Sequence, residues 1–298
     1  MYYNENTIVY LNGEYVKAVD IRGDLFGQSI HYGYAVFEGI RSYRTENGET
    51  KIFKERDHYD RLANSARALN MPYPFSTEEL IEATYAVLEK NTLQDAYIRP
   101  LVFAPQNMSF TPNKESFIMI AAWEMGLFLG ENLLRVMTSS FQRPNPKGFI
   151  IEAKASGHYV NSILASQEAK RHGFDEALLL DINGYVAEAP GANIFIEKEG
   201  VLFTPQKGNI LPGITRATVM ELCDEFGINV VEKQITPEEL YAADSAFFCG
   251  TAAEVVGIAS VDNKTFPKEW NAAIGSTIQK AYKNLVREKD YSMVLQTA

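Results

Sequence analysis

Cysteine is nearly absent: Cys223 and Cys249 are the only two in 298 residues. They lie too far apart for a CxxC redox pair and are too few for a disulfide framework, so buried free thiols in a reducing cytoplasm are expected. The four histidines, His31, His58, His158 and His172, show no metal-ligand spacing to one another or to cysteine. No apolar run approaches the roughly 18 residues of a membrane span. The opening MYYNENTIVYLNGEY has neither the basic nor the apolar region of a signal peptide. GxGxxG, GxxxxGK[ST] and GxSxG do not occur, which removes the dinucleotide, P-loop and serine-hydrolase readings. Positive charge is also short, with a formal net charge of −10. Such a field repels nucleic acid and acidic membranes, so an anionic ligand must be held by a few placed groups.

What remains is an ordinary globular composition, 46% hydrophobic and 22% charged, in a chain long enough for two lobes. In the first, TIVYL and EYVKAVDI flank Asn12-Gly13, a pair suited to a type I′ hairpin turn. A second hairpin runs from AVFEGIRSY across Asn47-Gly48 into ETKIF. Helices are predicted over 56–70, with Leu62, Ala66 and Leu69 on one face, and from Ser76 to about 91, where Glu79 takes the capping-box position. The strands AYIRPLVF and SFIMIAAW complete this lobe, residues 1–124. MGLFLGE, 125–131, reads as a connector to a second lobe of alternating strands and helices, 132–298. There, EALLLD and YVAEA pair across Asn183-Gly184, helices start at Thr215 and at Thr236-Pro237, and the last helix spans about 268–288. No internal repeat or low-complexity stretch is present.

Four segments of the second lobe carry the chemistry. Lys154 stands in IEAKASGHY among small residues that leave room for a planar ring. A lysine becomes nucleophilic when desolvation or nearby positive charge lowers its pKa. Glu188 follows a strand, and a carboxylate against a pyridine nitrogen keeps that nitrogen protonated. LPGITR (211–216) and CGTAAE (249–254) are glycine-threonine turns, the first read as a helix N-terminus capped by Thr215, a natural phosphate site. Arg56 offers a guanidinium for the same phosphate; its structural alternative is an ion pair with Asp60 on the helix surface. CGTAAE repeats the idea after strand SAFF, and lysine, carboxylate and phosphate turns in this order point to pyridoxal phosphate (PLP).

The segments HYGYAVFEGIRSY, HYDRL, AYIRPL, KASGHYVNSILA, GYVAEAPGANIF, LPGITR and GTAAE together resemble the branched-chain amino acid aminotransferases, and the resemblance covers nearly the whole chain. It implies the two-domain fold-type IV architecture, with a small N-terminal α/β domain and a larger C-terminal pseudo-barrel, an α+β or α/β class. It further implies that Lys154 bonds the cofactor and shuttles the substrate α-proton, Glu188 meets the pyridine nitrogen and Tyr159 the ring hydroxyl. Arg56, the Ile214 and Thr215 amides and Thr251 take the phosphate. Thr251, Ala252 and Tyr97 receive the α-carboxylate, while Tyr32, Phe37 and Gly39 form an apolar wall with Arg99 as its cation. Arg41, in the FEGIR run, marks the branched-chain member among substrate-binding candidates. The reaction implied is amino transfer between leucine, isoleucine or valine and 2-oxoglutarate, in a homodimer, or oligomer of dimers, that places Tyr32 across its interface. Rivals on the same fold are a D-amino acid aminotransferase and an aminodeoxychorismate lyase; a non-catalytic binder or structural protein would have been free to lose Lys154, Glu188 and Arg56. Departures from the family pattern are His158 for asparagine, Ala192 for an acidic residue, and Met125 and Phe128 for tryptophan and tyrosine. Phe128 cannot hydrogen-bond a γ-carboxylate, so a weaker hold on glutamate is expected.

Overall fold

Asn12 and Gly13 both take positive φ, 50° and 96°, and close the hairpin of β1 (Ile8–Leu11) and β2 (Glu14–Lys17). The computed structural model describes residues 2–292 and 294; residues 1, 293 and 295–298, at the far ends of the two expected lobes, lie outside the described residues. The chain divides into two compact units, Met1–Met125 with Ala153–His158, and Gly126–Glu152 with Tyr159–Ala298.

In the first unit, β2 and β1 lead through α1 (Gln28–Tyr32) to β3 (Ala35–Phe37), β4 (Ile40–Arg44) and β5 (Thr50–Ile52). The helices α2 (Glu55–Ala68) and α3 (Thr77–Lys90) follow, then β6 (Ala96–Phe103) and β7 (Phe117–Glu124). Ser76 caps α3 by accepting the Glu79 amide. The strands form one antiparallel sheet in the order β2-β1-β7-β6-β4-β5, with β3 also on β6. Because strand side chains alternate, Ile98 and Val102 of β6 enter the core with Ile118, Ile120, Leu62, Ala66 and Val87. Tyr97, Arg99 and Leu101 take the opposite face. The predicted AVFEGIRSY strand is broken at Glu38-Gly39, opposite Pro100, which has no N–H to give a ladder.

The second unit begins with β8 (Leu134–Gln142), α4 (Tyr159–Arg171) and β9 (Glu176–Leu180), a parallel strand pair joined by a helix. Next come β10 (Val186–Glu188), β11 (Asn193–Lys198), β12 (Val201–Pro205), α5 (Ile214–Glu225) and β13 (Val230–Lys233). Then α6 (Pro237–Tyr241), β14 (Ser245–Gly250), β15 (Glu254–Val261), β16 (Lys264–Thr265) and α7 (Ile274–Leu285) complete it. Thr236 and Glu239 form the full capping box at α6, with Pro237 in the first turn. The sheet order is β10-β9-β8-β15-β14-β11-β12-β13, and β10 also pairs with β11. The strands from β10 to β11 therefore close on themselves as a barrel, cored by Val136, Leu178, Ile194, Phe248 and Val256.

Two further expectations change. Residues 132–298 were expected as one lobe, but Ala153–His158 belongs to the first unit. Its small side chains let the segment lie against β3: Ala155 bridges to Val36, and the Phe37 amide donates to the Lys154 carbonyl at 3.1 Å. A Cβ on Gly33 would meet the Gly157 Cα at 2.8 Å, so the approach needs a glycine there. The second change is at α5, where Gly213 rather than Thr215 is the N-cap and Thr215 is buried in the first turn. The backbone before Ile214 is already extended at Gly213, φ −68° and ψ 134°, one residue earlier than a capping threonine would place it.

Candidate active site

In the first unit the site residues share the sheet face turned away from the helices. Arg41 stands opposite Tyr97 in the β4–β6 ladder, and Phe37 opposite Leu101 in the β3–β6 ladder. Arg99 lies with its Cζ 4.5 Å from the Phe37 ring centroid and 5.2 Å from that of Tyr97. Its Nη2 donates to the Tyr97 hydroxyl at 3.0 Å. Among the described residues no carboxylate pairs with Arg99, and its buried Nε has no hydrogen-bond partner. Lys154 Nζ lies 5.2 Å from the same Phe37 centroid, and the Lys154 amide donates to Ser65 Oγ at 3.0 Å. Gly39 is required here, because a Cβ would fall 2.0 Å from the Tyr97 hydroxyl. Buried Arg41 donates from Nη2 to the Met125 carbonyl at 2.8 Å, fixing the first residue of the expected connector.

Arg56 is not part of this group. It is 58% exposed and pairs with Glu78 of α3 at 2.8 Å, which is the surface reading with a different partner from Asp60. With about 3.6 residues per turn, Arg56 falls on the edge of α2 facing α3, and Arg61 on the edge shared by His58 and Ser65. Arg61 forks onto buried Glu38, Nε to Oε1 at 2.7 Å and Nη2 to Oε2 at 2.9 Å. His58 Nδ1 is 2.7 Å from the same carboxylate. Burial by itself would raise the Glu38 pKa, but the charges of Arg61 and His58 together with their hydrogen bonds outweigh it and hold the carboxyl well below the usual range. Burial lowers the pKa of His58; the charge and hydrogen bond of Glu38 oppose that, the positive charges of Arg61 and Lys154 add to it, and the net direction is downward. His58 is thus neutral and donates its Nδ1–H to an ionised Glu38, whose counter-ion is Arg61.

The second unit builds around Glu188 at the end of β10. Its buried carboxylate lies 3.0 Å from Arg143 Nε, an ion pair without hydrogen-bond alignment. It accepts Asn193 Nδ2 at 3.0 Å and the Leu211 amide at 3.0 and 3.2 Å. Asn193, which stands opposite Glu188 in the β10–β11 ladder, also donates to the Leu211 carbonyl at 3.0 Å. Glu188 and the LPGITR turn are thereby tied through one amide side chain. Gly213 completes the tie, since a Cβ there would lie 2.0 Å from Asn193 Oδ1. The first backbone bond into α5 runs from the Ala217 amide to the Gly213 carbonyl. No acceptor among the described residues takes the Ile214 and Thr215 amides. Thr251 and Ala252 occupy the turn between β14 and β15, a hairpin turn rather than a helix start, and the Ala252 carbonyl accepts the Phe128 amide at 3.1 Å. Tyr159, half-buried, opens α4. Tyr32, on α1 in the first unit, is 45% exposed, and its ring packs on Phe110 at 5.3 Å.

Residues 35–261 match the family model for amino-transferase class IV. The branched-chain-amino-acid aminotransferase of Pseudomonas aeruginosa is 44% identical, over 95% of this chain and 94% of its own. The chain belongs to the branched-chain aminotransferases of this class. Among solved structures, the branched-chain aminotransferase of Thermoproteus uzoniensis with norvaline has a TM-score of 0.92 and 36% identity, covering 97% of both chains. The branched-chain amino acid aminotransferase of Thermobaculum terrenum, in its PLP-form, has a TM-score of 0.90 and 33% identity, covering 97% of this chain and 96% of its own. The two-unit fold with its closed barrel is that of the fold-type IV branched-chain aminotransferases, and the enzyme is a transaminase dependent on pyridoxal phosphate.

The residues of this branched-chain aminotransferase fit that cofactor. Glu188 is a buried carboxylate that accepts from Asn193 and the Leu211 amide beside the Arg143 guanidinium, a fixed acceptor that suits a protonated ring nitrogen. The α5 N-terminus carries a glycine in place of a capping side chain, which suits a phosphate. Sequence reasoning missed Glu38, Arg61, Arg143 and Asn193. The signal available for Arg61 was its helical spacing from His58; Arg143 is far from Glu188 in sequence and left none.

Proposed function

We propose that this transaminase exchanges the amino group of L-leucine, L-isoleucine or L-valine with 2-oxoglutarate, as a cytoplasmic homodimer. Bound pyridoxal phosphate supplies the carbonyl that accepts the amino group and the ring that draws electrons from the substrate. Lys154 Nζ would hold the cofactor through its carbonyl carbon and, once the substrate amine has taken that place and freed it, would carry the proton to and from the substrate α-carbon. Glu188 holds the ring nitrogen protonated, kept in place by Arg143, Asn193 and the Leu211 amide. Tyr159 hydrogen-bonds the ring hydroxyl. Arg61 takes the phosphate role first given to Arg56, with the Ile214 and Thr215 amides and Thr251. Thr251, Ala252 and Tyr97 bind the α-carboxylate. Phe37 and Gly39, with Tyr32 of a second copy, form the aliphatic wall, and Arg41 anchors Met125 beside it.

The substrate reading rests on Arg99, a cation with no carboxylate partner among the described residues, set against aromatic rings. It meets the γ-carboxylate of glutamate by a charge-assisted hydrogen bond and leaves an apolar surface for leucine. The dimer is supported by exposed apolar side chains in each unit: Leu25, Phe26, Ile30 and Phe110 in the first, and Val160, Ile163 and Leu164 along α4 in the second. Two free, buried cysteines and a chain in which no described helix can cross a membrane accord with the cytoplasmic setting.

Single-turnover spectra of the cofactor-loaded enzyme test the reading. L-leucine, L-isoleucine and L-valine should convert the bound cofactor to its amine form faster than D-alanine or L-aspartate, with the branched 2-oxo acid as product. Faster conversion by D-alanine would replace this reading with the D-amino acid one.

A further inference from the structure

Any pocket that admits leucine and glutamate in turn faces one electrostatic difficulty. The cation that binds the γ-carboxylate must not be left uncompensated when an aliphatic chain covers it and excludes water. A permanent carboxylate partner would remove that cost, but it would also repel glutamate. Arg99 has no such partner among the described residues. Its charge is met by the faces of Phe37 and Tyr97 and by the Tyr97 hydroxyl.

We propose that Phe37 and Tyr97 serve Arg99 as a neutral counter-surface, and that this cation–π pairing is what lets one pocket accept both side-chain classes. It rests on the substrate reading above. A ring quadrupole attracts a cation more strongly as water is withdrawn, so the compensation grows when an aliphatic chain closes over Arg99. The same rings carry no net charge and do not compete with the carboxylate of glutamate. Three further features hold the arrangement. Arg99 and Tyr97 are two residues apart on β6 and share a face, and Gly39 leaves the space in which the Tyr97 hydroxyl sits. Trp123 backs the Tyr97 ring from β7, with centroids 5.2 Å apart.

The test uses two unreactive acids: 4-methylvalerate, the carbon skeleton of leucine without its amino group, and glutarate, the same for glutamate. Their affinities are measured by calorimetry on the cofactor-loaded enzyme. Phe37→Leu keeps the apolar volume and removes the ring. It should weaken 4-methylvalerate by about tenfold while changing glutarate by less than about threefold, the scale of one desolvated cation–π contact. Phe37→Tyr, which keeps the ring, should leave both within about threefold. In an Arg99→Met background, Phe37→Leu should no longer weaken 4-methylvalerate, because no cation remains to be covered. Equal weakening of both acids by Phe37→Leu, or an undiminished effect in the Arg99→Met background, would make Phe37 a plain wall and overturn the inference. If the unaltered enzyme binds neither acid, the substrate reading falls, and the inference falls with it.

Discussion

Arg56 and Arg61 stand five positions apart on one helix, and their surroundings assign them opposite duties. Arg56 reaches solvent and Glu78; Arg61 is held by both oxygens of a buried carboxylate next to the Lys154 segment. A guanidinium fixed in one orientation loses little further freedom on binding a phosphate, whereas an exposed one must be ordered first. Arg61→Ala should therefore weaken pyridoxal phosphate by about ten- to a hundredfold, the scale of one charge-assisted hydrogen bond lost. Pyridoxal, which lacks the phosphate, should be affected little, and Arg56→Ala should leave both affinities within about twofold. Reconstitution titrations of the apo-protein followed by absorbance would decide between the two arginines; a loss confined to Arg56→Ala would restore the first assignment.

Among the elements, α2 carries an acid-sensitive contribution to stability. His58 is buried and neutral, and its pKa is lowered from the ordinary 6.5 by burial. The folded protein resists a proton that the unfolded chain accepts, so this contribution is complete above about pH 6.5 and declines as pH falls. Glu38 acts in the same direction at lower pH: its carboxyl is held well below the usual range, and its contribution is lost as pH falls beneath about 4.5. Urea midpoints between pH 5 and 8 should drop on the acid side. His58→Gln should flatten that slope while lowering stability at pH 8, since the hydrogen bond to Glu38 changes partner. A slope unchanged by His58→Gln would mean that His58 takes up its proton equally in the folded and unfolded states.

For the whole molecule, the testable property is assembly. Val160, Ile163 and Leu164 occupy adjacent positions on one exposed stripe of α4, a face that a lone chain would leave in water. Sedimentation should find the protein at about twice the chain mass of 33.4 kDa, and Ile163→Arg should shift it toward the single chain. Because Tyr32 is proposed to serve a second copy, that variant should lose turnover together with its assembly. A fully active monomer would refute the dimer requirement.

The sequence by itself determined the features whose causes lie within a few residues. The Asn12-Gly13 pair, suited to positive φ, made the first hairpin readable, and the cap at Ser76 and the box at Thr236, Pro237 and Glu239 did the same for the starts of α3 and α6. Lys154 and Glu188 were readable as candidates because their neighbours are distinctive, and seven segments in order named the family. Tertiary structure alone decided which groups meet across long stretches of chain. It put Ala153–His158 with the first unit, closed the barrel by pairing β10 with β11, and surrounded Glu188 with Arg143, Asn193 and Leu211. It also placed Arg61 on the buried Glu38 carboxylate and left Arg56, the arginine chosen from the sequence, on the surface with Glu78. Local signals act through backbone angles and hydrogen bonds between near neighbours, and these are written in consecutive residues. A buried charge takes its partner from whatever the fold brings to it, and that is settled only when the chain has closed around it.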